Sequence, residues 1–178
     1  MIMKYEDIPK YTRSGSYEVT VSLTYLKDHM DLQNRSSRGP LDLNPDFQRA
    51  HVWTKKQQIH FVEHLLRGGR SGLIIYTNCV GWNKDYEGPY VVVDGKQRLT
   101  ACLRFVENKL PVFGENLYRD FEDRIPFFVG LLWHVNDLKT RAEVLQWYLD
   151  LNTGGTIHTK KELDKVRALL AKELRCLM

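Results

Sequence analysis

The chain has 178 residues, which is enough for one domain that buries roughly 70% of its unfolded surface. Hydrophobic residues make up 43% and charged residues 27%, so intrinsic disorder, collagen and coiled coil are excluded as descriptions of the whole chain. The net charge of +4 permits a polyanionic partner but does not require one.

The chain also lacks the sequence signals of membrane and secreted proteins. No segment approaches the roughly 20 apolar residues of a membrane span, and charge appears too early at the N-terminus for a secretory signal. Three cysteines, an odd number, argue against a disulfide framework. We therefore expect a cytoplasmic protein without membrane contact. We also expect a single domain over residues 1–178, with a flexible N-terminal segment at 1–16.

The first third of the chain alternates short elements with turns. β-Branched residues predict a strand at Tyr17–Ser22, followed by a short helix at 23–32. Residues 34–40 are polar and contain Gly and Pro, which indicates a connector. Alternation predicts one more short strand at 41–44, which stops at the following proline.

Helical spacing begins at Lys55, with Ile59, Val62 and Leu66 expected to face inward and Phe61 and Leu65 alongside them, and it ends at a Gly-Gly pair. Two buried strands follow, at 73–77 and 90–93.

After Asp94 the period becomes helical again. Residues 125–135 predict a strand, and capping boxes at Thr140 and Thr159 each open a helix. This mixture, without regular βαβ spacing, predicts an α+β fold.

The most informative segment is YVVVDGKQRLT at residues 90–100. A strand ends at Asp94, Gly95 permits a tight turn, and a helix begins near Lys96. This brings a carboxylate, the positive end of a helix and the cations of Lys96 and Arg98 into one small volume, which suits phosphate. Asp94 is suited to hold a divalent metal or to act on water. The spacing supports equally well a plain turn in which Asp94 caps its own helix.

Three motifs occur in order along the chain. FQR is followed by VW within residues 47–53, VVDGKQRLT occupies 92–100, and LNTGG at 151–155 precedes Glu162-Leu163. Together they resemble the GmrSD-type restriction endonuclease N-terminal domain family of the ParB/sulfiredoxin-like superfamily, over about residues 23–170. The family's usual motif is Asp-Gly-Gln-Gln-Arg, and this chain has Lys96 at the first Gln.

The resemblance implies a mixed sheet with surrounding helices and a nucleotide-binding domain of restriction, anti-phage or phage DNA-related systems. Such a domain would hydrolyse phosphoanhydride bonds of a nucleoside triphosphate, or phosphodiester bonds of DNA, with Mg²⁺ or another divalent metal. The catalytic candidates are Asp94, which is also the metal ligand, Arg98 and Arg49. The candidates for binding nucleotide or phosphate are Gln48, Gly95, Lys96, Gln97, Asn152 and Thr153. A non-catalytic sensor of nucleotide or DNA is the alternative.

The expected partners are a nucleoside triphosphate, DNA and a separate nuclease subunit. In the larger restriction proteins of this family a His-Asn-His domain cuts the DNA, and a sequence ending at Met178 has no room for one. We therefore expect a stand-alone version or one half of a split system. Four arginines in polar or Gly-rich segments are candidates for contacts with DNA phosphates: Arg35, Arg38, Arg67 and Arg70.

Two further patterns, one of histidines and one of aromatic residues, each allow a functional and a structural interpretation. His60, Glu63 and His64 fit the H-x-x-E-H pattern of zinc metallohydrolases, but the spacing indicates no third ligand, so solvated or rim histidines are the simpler interpretation. The aromatic residues Trp82, Tyr86 and Tyr90 either stack on bases or form a hydrophobic hinge under their loop.

Overall fold

The computed structural model of the chain describes residues 16–48, 52–123, 125–153 and 160–176. Within these residues it has a four-stranded mixed sheet and five α-helices, so the predicted α+β fold is confirmed. The flexible segment predicted at 1–16 falls, apart from Ser16, outside the described residues.

The sheet consists of β1 (Tyr17–Ser22), β2 (Ile74–Asn78), β3 (Val91–Asp94) and β4 (Gly130–Asn136). Their spatial order is β1-β4-β2-β3. β4 runs antiparallel to β1 and parallel to β2, and β3 is antiparallel to β2. The last strand in the sequence therefore lies inside the sheet.

The helices are α1 (Leu26–Ser36), α2 (Lys55–Leu66), α3 (Lys96–Val106), α4 (Arg141–Thr153) and α5 (Lys160–Cys176). α2 packs on α3, and α4 packs on α5.

Two hydrophobic clusters form the core of the part of the chain that the structure describes. One joins α1, α2 and α3 to the sheet, and the other joins α4 and α5 to it. The consecutive residues Val92 and Val93 fall into different clusters, as expected for a strand whose side chains alternate between the two faces. The sheet is therefore covered by helices on both faces.

The predicted boundaries of α1 were wrong because buried polar residues conceal its inward face. Leu23–Tyr25 forms a 3₁₀ turn, and α1 then continues to Ser36, into the predicted connector. His29 and Gln33 are buried one helical turn apart and hydrogen-bond to each other over 3.3 Å. This buried polar pair extends the inward face of the helix without any hydrophobic signal.

Two predicted strands are shorter than expected. In the segment 41–44 only Asp42 pairs, in a bridge with Val91. The strand predicted from residue 125 begins at Gly130, because a turn in which Val129 N–H donates to the Pro126 carbonyl precedes it.

The inward face of α2 also differs from the prediction. Val62 is fully buried, but Ile59 and Leu66 are only partly buried, and Phe61 and Leu65 complete the core-facing stripe. Gln58 is buried with them, because it donates to the Trp53 carbonyl and accepts from Arg104 of α3.

Among the described residues, the helices include none with both the length and the apolar character needed to cross a membrane.

Candidate functional site

The turn between β3 and α3 depends on Gly95. Its φ of +99° lies in the left-handed region, and it occupies the N-cap position of α3. A Cβ at this position would lie 2.6 Å from Ile75 Cδ1 and 3.1 Å from Ile75 Cα. Both the backbone conformation and the close approach to β2 therefore require glycine.

Asp94 and Arg98 form an ion pair at this turn. Arg98 Nη2 donates to Oδ2 of Asp94, four residues earlier in the chain. Arg98 Nη1 donates to the Gly72 carbonyl over 3.3 Å. The side chains are 35% exposed for Asp94 and 19% exposed for Arg98, so solvent and ligands can reach the pair. Because Gly95 is the N-cap residue, Asp94 does not occupy the cap position that the alternative interpretation gave it.

Two glutamines tie this turn to the segment that precedes α2. The Gln97 Oε1 atom accepts from the backbone N–H groups of Val52 and Trp53, over 3.0 and 3.1 Å. The Gln48 side-chain amide donates to the Val92 carbonyl of β3. Phe47 and Trp53 pack into the core and anchor their segments, whereas Val52 is half exposed.

A cavity of about 900 Å³ opens at this turn. Its walls come from the turn and start of α3, the segment before α2, one side of α2, the 71–72 loop and the end of α4. The described residues that line it are Gln48, Trp53, Thr54, Lys56, Gln57, His60, Phe61, His64, Ser71, Gly72, Asp94, Gly95, Lys96, Gln97, Arg98, Tyr148, Leu151 and Asn152.

Most of the residues predicted from the sequence meet in this cavity. Seven of them line it: Gln48, Asp94, Gly95, Lys96, Gln97, Arg98 and Asn152. Arg49 lies outside the described residues, as does the side chain of Thr153, whose backbone ends α4. Asn152 donates to the Tyr148 carbonyl within α4. The chemical roles of these residues stay predictions.

The charge of the lining favours anions. Among the described lining residues, Lys56, Lys96 and Arg98 are cationic and Asp94 is anionic. Partial burial lowers the pKa of Lys96, and the nearby Asp42 carboxylate opposes that shift. A bound anion would stabilise the charged form of Lys96 in the same way, because opposite charges favour ionisation.

The metal candidates differ in how well they fit. The described residues contain no group of three or more His, Cys, Asp or Glu side chains placed to hold a metal ion. A zinc site at His60 and His64 therefore has no third ligand in this part of the chain. Mg²⁺ has different requirements, since one or two carboxylates together with substrate phosphates and water suffice. Asp94 fits that donor set.

Sequence reasoning missed most of the α2 wall of the cavity. Lys56 and Gln57 were not singled out, and His60 and His64 were considered only as zinc ligands or rim residues. The available signal was spacing, because residues 56, 60 and 64 repeat every four positions beside the apolar stripe of α2.

The aromatic loop residues are packed rather than presented to solvent. Tyr90 is buried, and the Trp82 ring packs against the Tyr17 ring at an interplanar angle of 59°, with centroids 4.4 Å apart. This packing favours the hydrophobic hinge over base stacking at these two residues.

The family model described as "GmrSD restriction endonuclease, N-terminal domain" matches residues 30–131, more than half of the chain. The chain belongs to this family. The match contains α2, β2, β3 and α3, and therefore most of the cavity wall, whereas β1, α4 and α5 lie outside it. A comparison with curated proteins found no match.

Membership of the GmrSD N-terminal domain family gives the chain a restriction-type, DNA-related context.

Proposed function

We propose that the cavity binds the phosphate chain of a nucleoside triphosphate and that the domain hydrolyses a phosphoanhydride bond of this ligand with Mg²⁺. The observation that carries the proposal is the cationic cavity at the start of α3, in which a carboxylate lies beside Arg98 and Lys96. The positive end of the α3 dipole adds to this attraction for phosphate.

The Asp94–Arg98 pair gives a physical route from binding to chemistry. Phosphate oxygens compete with the Asp94 carboxylate for the Arg98 guanidinium, because both accept its planar fork of N–H groups. When Arg98 turns to the phosphate, the Asp94 carboxylate is released to hold the metal or to orient water. Bound Mg²⁺ would neutralise part of the negative charge of the phosphates. Arg98 and Lys96 neutralise the charge that develops on the transferred phosphoryl group.

The second candidate function is a nucleotide sensor without turnover, and the same ion pair favours it. If the Asp94–Arg98 pair persists when nucleotide is bound, Arg98 continues to neutralise the Asp94 carboxylate. The cavity then binds nucleotide without hydrolysing it. A panel of nucleoside triphosphates with Mg²⁺, scored for both binding and phosphate release, separates the two functions.

We predict that Asp94→Asn abolishes phosphate release while nucleotide affinity changes by less than about threefold, because the amide keeps the shape but loses charge and basicity. Asp85→Asn, an exposed change outside the cavity, is the matched control and should behave like the wild type. Phosphate release that survives Asp94→Asn would remove Asp94 from the mechanism. A large loss of thermal stability together with binding would make it a structural residue.

Arg98→Ala tests the siting of the phosphate. It should weaken nucleotide binding by about tenfold or more, because a charge-assisted contact is lost. Arg38→Ala, at an exposed position that does not line the cavity, is the control. Affinity within twofold of the wild type in Arg98→Ala would place the phosphate elsewhere.

DNA and a separate nuclease subunit are proposed as partners on the restriction context of the family. Arg35, Arg38, Arg67 and Arg70 are exposed and offer phosphate contacts. Binding of labelled duplex should then weaken with salt, with a log–log slope of roughly −0.9 per phosphate neutralised. No binding at low salt would leave the free nucleotide as the ligand.

A further inference from the structure

A row of basic side chains runs along α2 on the cavity side. Lys56, His60 and His64 are spaced at i, i+4 and i+8, so they lie one above another on a single helix face. All three line the cavity. The row rises about 12 Å along the helix axis. It belongs to a different element from Asp94 and Arg98, so the cavity has a second wall of basic residues.

The His64 ring is held in place. Its Nε2 atom lies 3.1 Å from Ser71 Oγ, and Ser71 itself lines the cavity. A Cβ at Gly69 would lie 2.2 Å from the His64 ring, so the ring packs directly against the glycine backbone. A protonated imidazole keeps this arrangement, because Nε2–H can donate to the serine hydroxyl.

We propose that Lys56, His60 and His64 bind the phosphate chain along α2 and so make the cavity select nucleotides with several consecutive phosphates over monophosphates. This inference rests on the proposed nucleotide function and adds the residues that read phosphate number. One phosphate at the Asp94–Arg98 turn leaves most of the 12 Å row unused. A chain of phosphates that extends from the turn reaches it.

The histidines make this selection depend on pH. Histidine normally changes charge between about pH 5 and pH 8. The charged or titratable groups that share the cavity with His60 and His64 are Lys56, Asp94, Lys96, Arg98 and Tyr148. Asp94 is paired with Arg98, which leaves the described cavity lining cationic overall. A protonated imidazole attracts phosphate oxygens, whereas a neutral imidazole lacks that charge.

The experiment compares the affinities for ATP and AMP of the wild type and of the double variant His60→Gln, His64→Gln at about pH 6 and about pH 8. If the panel shows another base preference, that triphosphate and its monophosphate are used. We expect ATP affinity to fall about tenfold in the double variant at the lower pH and less than about twofold at the higher, with AMP affinity nearly unchanged. At each pH the affinity of the variant is divided by that of the wild type, because the terminal phosphate of the nucleotide titrates in the same range.

Lys56→Gln provides a pH-independent arm with a matched control. It should weaken ATP binding severalfold at both pH values, whereas Lys55→Gln, on the neighbouring exposed residue outside the cavity, should not. Equal losses for ATP and AMP, or equal losses at both pH values in the double histidine variant, would overturn the inference and indicate a structural role. A wild type that binds ATP and AMP equally well would overturn it too, while leaving the proposed nucleotide binding intact. A wild type that binds neither would contradict both.

Discussion

Gly95 is constrained by both backbone and packing, and the two costs can be separated by mutation. We predict that Gly95→Ala lowers the free energy of unfolding by about 2–5 kcal/mol, because a left-handed conformation costs about 1–2 kcal/mol and overpacking against Ile75 adds about 1–3. Urea denaturation measures the loss.

Gly114 is the matched control for this substitution. Its φ of +95° is nearly that of Gly95, but nothing lies within 4 Å of the position a Cβ would take. Gly114→Ala should therefore show the backbone cost alone, about 1–2 kcal/mol. If the two variants lose the same stability, the contact with Ile75 relaxes at no cost, and only the turn conformation requires glycine.

At the scale of elements, Gln97 connects the start of α3 to the segment before α2. We predict that Gln97→Ala speeds hydrogen exchange at the Val52 and Trp53 amides, because both N–H groups lose their acceptor. Gln97→Glu keeps an acceptor oxygen and should retain most of the protection. Exchange measured by NMR distinguishes them, and unchanged protection in Gln97→Ala would show that this tie does not hold the segment.

We expect the buried Cys102 thiol of α3 to lower the free energy of unfolding at alkaline pH. Burial raises the pKa of the Cys102 thiol to about 12, whereas an unfolded thiol ionises near pH 8.5–9. The pKa of Cys102 is higher in the folded than in the unfolded protein. The contribution of the neutral thiol to the free energy of unfolding is therefore complete below about pH 9 and is lost as the pH rises toward 12.

Cys102→Ala should therefore reduce the loss of unfolding free energy between about pH 8 and about pH 10 by on the order of 1 kcal/mol. Denaturant titrations of both proteins at the two pH values give the comparison. The same loss in both would mean that this thiol is not among the groups responsible.

The elements differ in how far the sequence predicted them. β3 and α3 were predicted within a residue or two, since the hydrophobic period changes sharply at Asp94-Gly95. The length of α1 was missed because His29 and Gln33 are polar yet buried. For the cavity, local motifs identified the turn, but not that one side of α2 lines the same space, since periodicity carries no information on which elements become neighbours.

At the scale of the whole molecule, the family-matched segment omits part of the sheet and of the core. Residues 30–131 lack β1 and all but the first two residues of β4, the strand that pairs with both β1 and β2. They also lack α4 and α5, which cover one face of the sheet. We predict that a 30–131 fragment shows no cooperative thermal unfolding, whereas a 16–176 fragment does. A sharp transition in the shorter fragment would show that β2, β3 and the α2–α3 layer suffice.

The position of β4 also bears on how the chain folds as it is synthesised. The ribosome releases β1 first, but its partner in the sheet emerges more than 100 residues later. Until then β2 can pair only with β3, and the nascent chain exposes the edges of both β1 and β2. Stalled chains that end before residue 130 should therefore bind chaperones and resist compaction, and release of residues 130–136 from the exit tunnel should complete the sheet in one late step.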